Sequence, residues 1–206
     1  MDNISIIQGN PKSMSGGTLM GMALDYMAYP LIGTVDKAII ESTLQKLWGL
    51  RKNRFSHQYA FEARLDNRTI GIISCYPVSV MDKLVWPTVH ELIKLRKLNL
   101  IKHSLLHLQE LWSMVSLNEG RADEYHIGAL AALPESRGYG VGSKLIHYAE
   151  EKARLSNYEK CSLTVKQENL RAINLYERLG YRITDSIEKK PYYLYRMVKP
   201  LPHIFT

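Results

Sequence analysis

Residues 125–143 read Tyr-His-Ile-Gly-Ala-Leu-Ala-Ala-Leu-Pro-Glu-Ser-Arg-Gly-Tyr-Gly-Val-Gly-Ser. The run up to Leu133 is apolar enough for a buried strand, Pro134 ends it, and a glycine-rich loop follows. After the loop Leu145, Ile146, Ala149 and Ala153 recur at helical spacing, with Lys144, Glu150, Glu151 and Lys152 expected on the outer side. Cys161-Ser-Leu-Thr-Val165 is the next strand candidate. Strand, loop, helix and strand make a βαβ unit over residues 125–165, whose crossover should be right-handed between parallel strands.

A glycine loop that opens a helix presents successive backbone N–H groups where the helix dipole favours an anion, so phosphate or pyrophosphate is the expected ligand. Spacing separates the phosphate motifs. A Walker A loop requires Lys followed by Ser or Thr, whereas Ser143 precedes Lys144 and Leu145 follows it. The dinucleotide fingerprint Gly-x-Gly-x-x-Gly is met by neither Gly138 nor Gly140 as its first glycine. What is present is Arg-x-x-Gly-x-Gly, carried by Arg137, Gly140 and Gly142. A second signature lies after the second strand, in Asn169-Leu-Arg-Ala-Ile-Asn-Leu-Tyr-Glu-Arg-Leu-Gly-Tyr181. It reads as a helix with Asn169 near its N-cap, Ala172, Leu175, Tyr176 and Leu179 on one face, and Gly180 as its stop.

Together these two stretches resemble the GNAT superfamily of N-acetyltransferases, most closely over residues 124–181. The resemblance implies an α/β fold, with a central mixed, mostly antiparallel sheet flanked by helices, and acetyl-CoA as co-substrate. It implies that the strand backbone at Leu130, Ala131 and Ala132 meets the pantetheine arm. Arg137, Gly138, Tyr139, Gly140, Val141, Gly142 and Ser143 would hold the pyrophosphate, and Asn169 would contact the pantetheine end. Tyr176 would be the general acid that protonates the departing thiolate, a task suited to a phenol with an ordinary pKa of about 10. On its own face of the helix, Tyr176 also suits core packing.

Attack by an amine requires its neutral form. Some family members place a glutamate on the strand after the loop and helix, but the corresponding position here is Thr164. Histone-acetylating members place one at the start of the strand before the loop, and an ungapped count from Arg137 puts Glu124 there. Asp123 adjoins it and His126 shares its strand face, so either could substitute or relay through water. Glu124 reads equally well as a solvated charge at a strand end.

Outside this region residues 4–8 suggest a strand, residues 18–50 two helical stretches, the second capped by Asp36, and residues 59–76 a hairpin turning at Asp66-Asn67. Leucines at spacings of three and four between Val80 and Asp123 predict an inserted helical pair, within an insertion of about residues 77–123, expected to wall the acceptor site. Runs 181–184 and 192–198 suit a closing hairpin. His103 and His107 stand four apart in the insertion, with no further ligand beside them in sequence, so no metal is expected.

Over 206 residues, 46% hydrophobic and 23% charged residues fit one folded domain and argue against disorder. Cys75 and Cys161 lie in apolar runs and read as buried thiols. Residues 20–32 are interrupted by Gly21, Asp25 and Pro30, and the N-terminus lacks a basic leader, so a cytoplasmic protein without a membrane partner is expected. The +7 charge favours an anionic ligand. The Lys94, Arg96, Lys97 and Lys102 cluster lacks interleaved aromatics, which argues against nucleic acid. The expected activity is acetyl transfer from acetyl-CoA to a primary amine by direct attack in a ternary complex. A non-catalytic acyl-CoA-binding module and a basic nucleic-acid-binding protein are the alternatives, and a homodimer through the insertion is left open.

Overall fold

The computed structural model describes residues 4–202. Its strands form one seven-stranded sheet in the order β1-β2-β3-β4-β5-β7-β6. β1 (Ser5–Gln8) lies antiparallel on β2 (Ala60–Leu65). β2 turns into β3 (Arg68–Pro77) through Asp66 and Asn67, both at positive φ, as a two-residue hairpin following the strand twist requires. β4 (Tyr125–Ala132) runs antiparallel to β3 and parallel to β5 (Lys160–Lys166), and α7 (Val141–Leu155) makes the crossover between β4 and β5. β7 (Tyr192–Pro200) pairs with β5, and β6 (Arg182–Lys189) closes the sheet, so the final hairpin is longer than its apolar runs indicated.

Two cores sandwich the sheet. On one face Leu145, Ile146 and Ala149 of α7, with Ile173 and Tyr176 of α8 (Leu170–Arg178), cover Ile73, Ile127 and Leu163. On the other, Leu19 and Met20 of α1 (Gly16–Leu24) and Leu44, Leu47 and Trp48 of α3 (Lys37–Gly49) cover Ile72, Ala129 and Ala131. Asp36 caps α3 by accepting from the Ile39 amide. Cys75 and Cys161 are buried, and burial pushes each thiol up to about 12.

Several local expectations are corrected. The first helical stretch is divided by a 3₁₀ turn, Asp25–Met27, into α1 and α2 (Ala28–Ile32), because the backbone turns at Asp25 with φ +50°. The insertion is three helices and not a pair: α4 (Val78–Arg96), α5 (Leu98–Leu106) and α6 (Leu108–Val115). Lys97 takes φ +51° and His107 leaves helical geometry, while the leucine spacing continues through both and hides the breaks. Glu150, expected on the outer side of α7, is buried and accepts a 2.7 Å hydrogen bond from Lys199.

Candidate functional site

β4 and β5 are paired only where Tyr125, His126 and Ile127 face Cys161, Ser162 and Leu163; beyond that they part. At the same place the β3–β4 register steps from Cys75 opposite Ile127 to Ser74 opposite Ala129, leaving Gly128 as a bulge. A Cβ on Gly128 would stand 2.3 Å from the Tyr76 hydroxyl, so glycine is what admits that hydroxyl under the bulge. The gap opens into a cleft of about 700 Å³. Leu130, Ala131 and Ala132 line it, so β4 offers the unpaired strand edge that an extended amide-bearing arm requires.

The cleft continues along the loop after β4, where Arg137, Gly138, Gly140, Val141, Gly142 and Ser143 all contribute to its lining. Gly138 and Gly140 take φ of +87° and +68°, a conformation that favours glycine, and nothing lies within 4 Å of where their Cβ atoms would be. Gly140 is the N-cap of α7, with no side-chain cap and no acidic residue in the first turn. The amides of Val141, Gly142 and Ser143 therefore have no helical partner and carry the positive end of the dipole. Arg171 and Arg178 join Arg137 in the lining. This donor set fits a pyrophosphate. Tyr139 is placed differently: its side chain leaves the cleft for a second hollow lined by Leu65, Arg68 and Glu135.

Asn169 caps α8, its Oδ1 accepting from the Ala172 amide at 3.1 Å, and it also lines the cleft. Tyr176, about two turns further along, lines the cleft while the residue is only 8% exposed. Burial pushes its hydroxyl up to about 12, so it holds its proton through the physiological range.

Glu124 stands apart from the cleft. Its carboxylate is 2% exposed, ion-paired with Arg196 and hydrogen-bonded by the Arg121 amide at 2.9 Å, and it is not part of the cleft lining. Burial alone would raise its pKa, but hydrogen bonding and charge from Arg196 hold it below the usual carboxylate value. The expected free carboxylate is therefore a charge-neutralised one. Asp123 is at the surface, paired with Lys160 at 2.6 Å. His126 is fully buried, its Nδ1 3.1 Å from Ser162 Oγ and its Nε2 3.9 Å from Glu119, which pairs with Arg54 at 2.9 Å. Burial pushes the imidazole down to about 4, so it is neutral. Thr164 lines the cleft and supplies no titratable group.

Sequence reasoning missed the wall formed by residues 22–27, which comes from a distant segment with no motif of its own. Within that wall Asp25 is 2.6 Å from Lys166 Nζ, which stands 3.8 Å over the Tyr26 ring, tying the 3₁₀ turn to the end of β5. Arg171 and Arg178 were legible in principle, since with Leu175 they follow the same helical spacing as Tyr176. None of the described cleft-lining residues comes from the insertion. It instead braces flanking elements, Arg96 donating to Ile32 O of α2 at 2.9 Å and Ser113 to Lys190 O in the β6–β7 turn at 2.9 Å. Among the described residues no group of three or more His, Cys, Asp or Glu is placed to hold a metal ion, and no helix is long and apolar enough to cross a membrane.

Residues 34–181 match the sequence model of the acetyltransferase (GNAT) family. A 56-residue stretch is 36% identical to N-alpha-acetyltransferase 30 of Saccharomyces cerevisiae, covering 27% of this chain and 32% of that protein, about a third of its length. Among solved structures, one described as an acetyltransferase has a TM-score of 0.70 at 20% identity, covering 96% of this chain and 100% of that one. An N-acetyltransferase from Staphylococcus aureus Mu50 gives 0.68 at 22% identity, covering 94% and 99%. The NatC complex bound to Gag peptide and CoA gives 0.54 at 18% identity, covering 98% and 100%. At these identities the structural likeness shows the fold.

Proposed function

Because the chain belongs to the acetyltransferase (GNAT) family, we propose that it moves the acetyl group of acetyl-CoA to a primary amine by direct attack in a ternary complex. The observation that carries this reading is the uncapped start of α7 beside two left-handed glycines, opening into a cleft edged by unpaired β4 backbone. Acetyl-CoA supplies the activated thioester. The loop amides and the arginines hold its phosphates, and β4 aligns its amide-bearing arm. Tyr176 holds a proton at its Oη for the leaving sulfur.

Deprotonation of the amine is assigned to water. Asp25 is the one carboxylate among the described lining residues and is paired with Lys166, while Glu124 is paired with Arg196. The acceptor thus attacks from its neutral fraction. A thiol-release assay over a panel of amines tests the reading, beginning with peptide N-termini because the yeast relative is named an N-alpha-acetyltransferase. Turnover with one class of amine, lost in Tyr176→Phe, is the expected result. Tight acetyl-CoA binding with no thiol release across the panel supports the second reading, a binding module, which the lack of an unpaired carboxylate among the described lining residues favours.

A further inference from the structure

The insertion carries a face that no other described residue covers. Leu100 of α5 is 8% exposed and packs at Gly33, whereas Leu98, Ile101 and Leu105, spaced three and four apart, face outward with Leu106 beside them. One residue later α6 presents Leu108 and Trp112, four apart, in the same state. Leu98 is 72% exposed, Leu106 81% and Trp112 74%. The inner sides of these helices are occupied, through Leu100 at Gly33 and Ser113 at Lys190. The outward residues therefore have no partner among the elements already packed against the insertion.

Charge narrows what covers this face. Residues 93–109 contain Lys94, Arg96, Lys97 and Lys102 and no Asp or Glu. Lys97 precedes Leu98 and Lys102 follows Ile101, both are exposed, and neither enters an ion pair among the described residues. Glu110, the acid of α6, lies outside that stretch, its carboxylate 3.3 Å from His107 Nδ1. A second copy docked across a two-fold would bring these lysines toward one another, which like charges resist. A nucleic acid would satisfy the lysines but give the leucines and isoleucine nothing apolar to pack on, because bases stack on aromatics.

We propose that the α5–α6 face docks peripherally on an anionic lipid bilayer. Leu98, Ile101, Leu105, Leu106 and Leu108 would enter the boundary between headgroups and acyl chains, Trp112 would sit at headgroup level, and Lys97 and Lys102 would meet the lipid phosphates. At nine and eight residues, α5 and α6 are far short of a membrane span, so the contact lies along the surface. This inference rests on the exposed face alone and is independent of the acetyl-transfer reading.

The test is co-sedimentation of the full chain with vesicles of phosphatidylcholine, and with vesicles of phosphatidylcholine and phosphatidylserine in equal parts. Binding to the mixed vesicles only is expected, weakening as salt is raised. Trp112 emission, taken as the difference from Trp112→Phe, should shift to the blue. The double variant Leu105→Asp, Leu106→Asp changes two exposed positions, so its circular dichroism and acetyl-CoA affinity should match the parent while vesicle binding is lost. Lys97→Glu with Lys102→Glu should lose it too. No sedimentation, equal binding to neutral vesicles, or binding unchanged in the Asp variant overturns the proposal. So does a dimer in sedimentation velocity that the Asp variant dissociates, or binding of single-stranded RNA at physiological salt that it abolishes.

Discussion

Arg196 on β7 reaches across β5 to hydrogen-bond Glu124, neutralising a charge 72 positions away in sequence. Both side chains are nearly excluded from water, at 4% and 2% exposure. Glu124→Gln leaves the guanidinium buried without its counter-charge, and breaking a buried pair in this way costs about 3–5 kcal/mol. The folded carboxyl sits below its ordinary 4.5, so the pair's contribution is complete above pH 4.5 and is lost as pH falls through the lowered value. Urea titrations should show a gap between parent and variant at neutral pH that closes in acid. The variant's rate defect should be the same at every pH; one that shrinks toward the amine's pKa would restore Glu124 as the base.

Tyr176→Phe keeps the buried ring and removes the hydroxyl, so stability and acetyl-CoA affinity should hold while kcat falls ~10²–10⁴-fold. The hydroxyl is pushed up to about 12, so the parent should show no alkaline limb from its loss below that pH. With water taking the amine's proton, kcat/KM should climb with pH until the acceptor itself is neutral. A plateau well below the acceptor's pKa would point to a base within the protein.

At Gly140 two effects can be separated. Gly140→Ala adds a Cβ to open space, but at φ +68° it forces a left-handed conformation that costs an L-residue about 1–2 kcal/mol. Gly140→Asp adds a negative charge at the start of α7, where the pyrophosphate should lie. Calorimetry should show acetyl-CoA binding weakened modestly by Ala and abolished by Asp. Unchanged affinity in a folded Asp variant would remove the loop from the site.

A fourth outcome concerns His126. Burial lowers its imidazole from 6.5 to about 4, so the unfolded chain binds more protons between those values and stability rises with pH across that window. At 1.36 kcal/mol per unit the difference is about 3 kcal/mol. His126→Gln should flatten the stability profile between pH 4 and 6.5. A profile that keeps its slope would locate the titrating group elsewhere.

The glycine loop, the Asn169–Tyr181 helix and the Asp66-Asn67 turn were legible because each depends on neighbours close in sequence. The breaks at Lys97 and His107 were not, because they are backbone rotations inside an uninterrupted leucine spacing. Glu124 was locatable, but its state was not: whether a strand-end carboxylate meets water or Arg196 depends on strand order, β5 paired to β7 and not to β6. The 22–27 wall was hidden for the same reason, since only tertiary packing brings it to the cleft.

The bulge offers the most direct test of how the cleft is opened. Alternation alone would put Ile127 and Ala129 on one face of β4, yet Ile127 packs in the α7 core and Ala129 in the α1–α3 core, because Gly128 absorbs an extra residue. Gly128→Ala would place a methyl 2.3 Å from the Tyr76 hydroxyl and 2.9 Å from its ring carbon. Tyr76 is 3% exposed and has little room to retreat, so overpacking should cost about 1–3 kcal/mol and disturb the point where β4 leaves β5. Tyr76→Phe removes the nearer of the two clashing atoms. Adding it to Gly128→Ala should therefore recover part of the lost stability and acetyl-CoA affinity, although Tyr76→Phe alone should destabilise by removing a hydroxyl that is hydrogen-bonded to Arg54. Strict additivity in this double-mutant cycle would mean that the bulge and the tyrosine are independent, and that something other than their contact fixes the parting of the strands.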